Sequence, residues 1–173
     1  MKKEKWKVLL KWFLFALLLL LFYALQTTPG FLQIAWSKPV WVVSLAVCVS
    51  MYEGVMGSAF FAMAAGLLWD ISSDKLFGFN GLILLGCGLF ISLLCIYYLH
   101  TKMLNSLLFC SVAMLLQGLL DYLFYYAIWG YPNAWMILVQ HILPTVAYTV
   151  LVTPLLFLLV RFLEEKLSAT PRV

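Results

Sequence analysis

The sequence predicts an all-α integral membrane protein, a bundle of six transmembrane helices. Three observations predict it. First, 65% of the 173 residues are hydrophobic and 10% are charged, whereas soluble domains carry about a quarter charged residues. Second, residues 12–37, 76–101, 103–120 and 122–160 contain no Asp, Glu, Lys or Arg. About 20 apolar helical residues suffice to cross a bilayer core. Third, runs such as 17–22 are continuously apolar. Barrel strands alternate polar and apolar residues, so helices are left as the way to satisfy the backbone in lipid.

The length fits one membrane domain. Residues 1–7 form a basic cytoplasmic N-terminus, 8–163 the transmembrane domain and 164–173 a cytoplasmic tail. Lys2, Lys3, Lys5 and Lys7 ahead of an apolar core imitate a signal peptide. Ala24, Leu25 and Gln26 make no small-x-small cleavage site, so the segment reads as a retained first helix over 8–25. Thr28, Pro29 and Gly30 end it. A second helix starts at Pro39, a favourable first helical position, and runs to Tyr52. Glu53, Gly54 and Gly57 interrupt the apolar pattern, and a third helix follows over 55–69. Asp70, Ser72, Ser73 and Asp74 form a loop, and Gly78 and Asn80 lead into a fourth helix over 81–99. His100 and Lys102 mark the next loop. A fifth helix spans 103–129, and Gly130, Tyr131, Pro132 and Asn133 turn the chain. The last stretch, 134–163, is expected to kink or break near Pro144 and Pro154.

Charge bias decides whether 39–69 is one helix or two, because Lys and Arg favour cytoplasmic loops. With two helices both termini are cytoplasmic. Lys2, Lys3, Lys5, Lys7, Lys11, Lys102, Arg161, Lys166 and Arg172 then lie inside, and only Lys38 and Lys75 outside. With one helix the cations divide six against five. The six-span arrangement therefore wins, and it requires two short helices shielded by neighbours or set in thinned bilayer. Trp36, Trp41, Trp129, Tyr131 and Trp135 cluster at the outer ends, as in an interfacial aromatic belt.

Ser58, Ala62, Gly66 and Asp70 recur every four residues and share one helix face. Small residues let helices approach closely in lipid. The face serves either a partner helix or packing within the bundle, and Gly86, Gly88 and Ser92 pose the same choice. Gly66→Leu is expected to disrupt assembly more than Leu67→Ala. On the fifth helix Ser106, Cys110, Ala113, Gln117 and Asp121 form a stripe. Asp121 is an acid deep in a long span, a functional candidate by default. The plainer account is a structural lock. Asp121 and His141 lie ten residues either side of Tyr131, hence at equal depth on an antiparallel hairpin. Gln117 and Gln140 would complete a buried polar cluster with them.

Chemistry is not encoded in any motif. H-E-x-x-H, G-x-S-x-G and phosphate-binding glycine loops are all missing from the sequence. Cys48, Cys87, Cys95 and Cys110 sit in apolar runs without C-x-x-C spacing and read as small buried hydrophobes. No enzyme activity, cofactor, metal or nucleic-acid partner is expected.

A short pattern surrounds the third helix. Pro39 opens the second span, Gly54 and Gly57 mark the following turn, and Gly66-Leu67-Leu68-Trp69-Asp70 matches the pattern G-[LA]-x-x-D. Gly78 follows eight residues after Asp70. In this pattern, and in its lysine-rich start, length and basic tail, the chain resembles the bacterial rod shape-determining protein MreD family. Departures are Ala62-Met63 where the family often has Gly-Phe, Phe77-Gly78 for Leu-Gly, and Gly81 where Ala is common. The resemblance implies a non-enzymatic scaffold in the inner membrane. It would work with MreC, the actin-like MreB, the glycosyltransferase RodA and its transpeptidase partner in organising peptidoglycan synthesis. It also implies a fold similar to the substrate-binding subunits of energy-coupling-factor transporters. A vitamin-type carrier of that kind is the alternative function. Such carriers typically have Ala-x-x-x-Ala on the first helix, where this chain has Ala16 with Leu20 and Ala24 with Thr28.

Overall fold

The computed structural model describes residues 2–28, 38–73, 76–128, 136 and 138–167. Among them are six α-helices and no strand: α1 (Lys2–Thr27), α2 (Trp41–Tyr52), α3 (Val55–Ile71), α4 (Phe79–Tyr97), α5 (Met103–Tyr122) and α6 (Leu143–Leu167). π-helical turns extend α5 over Leu123–Ala127 and lead into α6 over Leu138–Ile142. Helices α1, α4, α5 and α6 are long and apolar enough to cross a membrane, and α2 and α3 are shorter apolar helices.

The break expected near Glu53 is present. Glu53 and Gly54 are both extended, with ψ of 158° and 161°, so α2 and α3 are separate elements. At 12 residues, α2 is about 18 Å long, well short of the ~30 Å hydrocarbon core. The shielding that so short a helix needs comes from the bundle itself. Every residue from Trp41 to Met51 is buried, and α2 packs against all five other helices. An apolar helix without a polar face is what such a central position demands.

Several element boundaries differ from the sequence reading. α1 starts within the basic segment, because lysine is a good helix former. α2 begins at Trp41 rather than Pro39. Just before it, the Val40 N–H donates to Thr149 Oγ1 of α6 at 3.0 Å. α4 starts at Phe79, ahead of the expected position, because a side chain from α3 caps it. α6 runs unbroken through Pro154. Prolines within membrane helices are tolerated where neighbouring helices hold the turn, and here Thr153 Oγ1 lies 3.1 Å from Ser44 Oγ of α2. Pro144 acts earlier. It cannot donate to the Gln140 carbonyl and its ring crowds that oxygen, and the preceding turn widens to a π-helix.

Trp41 does not join an interfacial belt. It is buried and stacks on Phe22 of α1, with centroids 5.3 Å apart and planes 10° from parallel. Burying both rings against each other removes more apolar surface than an interfacial position would. Trp36, Trp129, Tyr131 and Trp135 lie outside the described residues.

Candidate functional site

The small-residue face of α3 packs against α4 of the same chain. A Cβ added to Gly66 would lie 2.5 Å from the Gly81 Cα and 2.6 Å from the Asn80 carbonyl oxygen. One added to Gly88 would lie 2.7 Å from the Ala62 Cβ. Ser58 Oγ donates to the Gly88 carbonyl at 3.3 Å. Without side chains at these crossings the two backbones approach closely, the usual basis of helix pairing in lipid.

Asp70 fastens the end of this hairpin. It is 3% exposed. Its Oδ2 accepts the N–H groups of Gly78 at 2.9 Å and Gly81 at 3.2 Å, and its Oδ1 accepts the Asn80 N–H at 3.2 Å and Asn80 Nδ2 at 2.9 Å. A carboxylate thus satisfies orphan donors at the positive end of α4. Gly78 has φ +94°, a left-handed conformation that glycine adopts without strain. The eight-residue spacing from Asp70 to Gly78 is therefore the length of chain that turns back and offers its N–H to the acid.

The fifth-helix stripe is buried throughout: Ser106, Cys110, Ala113, Gln117 and Asp121 all face the interior. Gln117 Nε2 donates to Asn80 Oδ1 at 3.0 Å, so Asp70, Asn80 and Gln117 form a polar spine joining α3, α4 and α5. Asn80 is a site residue that no sequence motif marks. Its signal was an amide in the first turn of an otherwise apolar helix. Gln140 is exposed, and the side chain of His141 lies outside the described residues. One turn beyond Gln117, Asp121 lines a cavity of about 410 Å³.

Two further polar clusters have no mark in the sequence pattern. Ser44, Thr153 and Cys110 meet between α2, α5 and α6, with Thr153 Oγ1 3.1 Å from Cys110 Sγ. At the opposite end of α2, Lys11 Nζ lies 2.6 Å from Glu53 Oε1 and 2.8 Å from Glu164 Oε1. These side chains are only 12%, 14% and 9% exposed. They join α1, the α2–α3 turn and α6. A buried ion pair gains little net stability over a well-packed apolar contact, but it penalises alternatives in which one charge stays unpaired. Cys48 is also buried, Cys87 and Cys95 are half-buried, and all four cysteines are free. Among the described residues no group of His, Cys, Asp or Glu is arranged to hold a metal ion.

On α4, Gly88 and Ser92 face inward, Ser92 Oγ donating to the Glu53 carbonyl at 2.9 Å. Gly86 faces outward. A Cβ there would have no neighbour within 4 Å, and it sits one turn from each of the exposed side chains Leu82 and Phe90.

These features define a multi-pass membrane protein whose polar groups join helices to one another. The chain belongs to the rod shape-determining protein MreD family, whose model matches residues 6–167. It is accordingly a transmembrane protein of cell-shape determination. No curated protein and no solved structure matches it. Of the residues that carry the resemblance, three build the α3–α4 hairpin: Gly66 at the closest approach, Asp70 as the cap and Gly78 in the turn.

Proposed function

We propose that the chain is a non-enzymatic scaffold of the bacterial elongation machinery. In this reading it sits in the cytoplasmic (inner) membrane with both termini inside and holds the transmembrane helix of MreC. RodA, its transpeptidase partner and MreB are engaged directly or through MreC. Family membership supports the role. The observation that carries the docking position is the outer face of α4, where Gly86 lies between Leu82 and Phe90, 74% and 63% exposed. A glycine between two large side chains makes a notch into which a partner helix can settle.

The test is recovery of MreC with the chain from mild detergent. Gly86→Leu is expected to lower it about tenfold, equivalent to ~1.4 kcal/mol, and to leave the melting temperature of the purified protein unchanged. Leu155→Ala, on the exposed face of α6, should change neither. Undiminished MreC recovery with Gly86→Leu overturns the assignment of this face.

The topology follows from the nine cations placed inside against Lys38 and Lys75 outside. Reporter fusions after Lys102 and after Val173 should both read cytoplasmic. A periplasmic signal at Val173 is incompatible with six spans.

A further inference from the structure

We propose that the cavity beside Asp121 binds an organic ammonium group. Its volume, about 410 Å³, lies in the ~300–1,000 Å³ range of small-ligand pockets. It opens between the end of α5 and the start of α6, close to the first residues of α2. The inference stands independently of the scaffold role.

The lining selects the ligand's chemistry. Asp121 is the charged member of the described lining, which disfavours anions. An acid within an apolar span is a candidate counter-ion for a bound cation. Trp69 and Tyr126 supply aromatic rings, and a ring face attracts a cation most strongly where water is scarce. Gln117 has its amide nitrogen bonded to Asn80, so its carbonyl oxygen is the remaining polar group, an acceptor. Thr145 adds a hydroxyl, and the rest of the wall is largely apolar. A hard divalent ion would require about six oxygen ligands, and the described residues form no such cluster. Among the described lining residues, one acid, two aromatic rings and a largely apolar remainder fit a protonated or quaternary amine carrying carbon substituents.

Two features, one of side chains and one of the backbone, support a built site. Gln117 is positioned by Asn80, and Asn80 by Asp70, so the wall is oriented from the α3–α4 hairpin. Tyr126 belongs to the π-turn that extends α5, and Ile142, also lining the cavity, to the π-turn that leads into α6. Pro144 accounts for the second of these turns, and π-turns inside helices are frequently found at functional sites.

An ammonium group can come from a free amine or from an aminophospholipid headgroup, and one experiment separates them. The full chain is placed in nanodiscs of phosphatidylglycerol alone, which contains no ammonium, and titrated calorimetrically with choline. Saturable binding of one choline per chain is expected, weakened about tenfold or more by Asp121→Asn and by Tyr126→Leu. Repeating the titration with phosphatidylethanolamine in the disc assigns the source. Loss of choline binding there identifies the lipid headgroup, and retention identifies a free amine. If Asp121→Asn does not fold, Tyr126→Leu decides alone, because its ring lies on the wall and outside the Asp70 spine. No saturable choline binding in phosphatidylglycerol overturns the proposal, as does binding that the folded variants leave unchanged.

Discussion

Gly66→Leu will yield no stably folded protein. The reason is which atoms stand in the way. The first carbon of any side chain at this position would meet the Gly81 Cα at 2.5 Å and the Asn80 carbonyl at 2.6 Å. Both belong to the backbone of α4, and neither can rotate aside. The helices must separate, which strips the contacts of Ser58 with Gly88 and of Asp70 with the start of α4. Overpacking of a well-packed core costs ~1–3 kcal/mol when side chains can adjust, and here they cannot, so the cost exceeds that range. Gly66→Ala is already strongly destabilising by the same geometry. Gly81→Ala is milder, because its Cβ meets mainly the end of the Leu67 side chain. Leu67→Ala loses only packing of a half-buried residue. Thermal unfolding in detergent ranks the variants that fold, and Gly66→Leu is expected to show no cooperative transition. A Gly66→Leu protein melting within about 2 °C of the parent, less than 1 kcal/mol for a chain of this size, would refute the account.

Asp70→Ala is the second large effect. It removes the acceptor for four donors at once: the N–H groups of Gly78, Asn80 and Gly81, and the Asn80 side-chain amide. Each hydrogen bond to a charged group is worth ~1.5–3 kcal/mol, and each buried donor left unpaired costs ~1–3 kcal/mol. With partial rearrangement the loss is still at least about 4 kcal/mol, a large part of the ~5–15 kcal/mol that holds most folded proteins. Asp70→Asn is expected to fare little better, because its new NH₂ group faces donors. Reversible unfolding by denaturant in mixed micelles gives the number. A loss below about 1 kcal/mol would show that the four donors find other partners.

The sequence made the helix count and the α3–α4 hairpin legible because both leave one-dimensional marks. Charge placement distinguished two short helices from one long one, and the four-residue recurrence of Ser58, Ala62, Gly66 and Asp70 marked a face. It did not say what that face meets. Two positions apart on α4, Gly86 and Gly88 are nearly opposite each other around the helix, yet alike in composition, so only the packing separates the buried one from the open one. Lys11 and Glu164 are 153 residues apart. In sequence Lys11 counts among the N-terminal cations and Glu164 belongs to a charged tail, and their meeting depends on how α1 and α6 flank the α2–α3 turn. Trp41 illustrates the same limit. A tryptophan at a span end fits a belt or a core equally well until its neighbour, Phe22, is placed.

The burial of α2 on every side has a consequence for biogenesis. This helix is the second to leave the ribosome, yet the groups that receive it are made last: Thr149 accepts the Val40 N–H, and Thr153 lies beside Ser44. A nascent chain truncated before α6 leaves one side of its own centre uncovered. At ~18 Å, that centre is also too short to rest alone across the lipid. The packing around the second helix is therefore complete only when the sixth is in place.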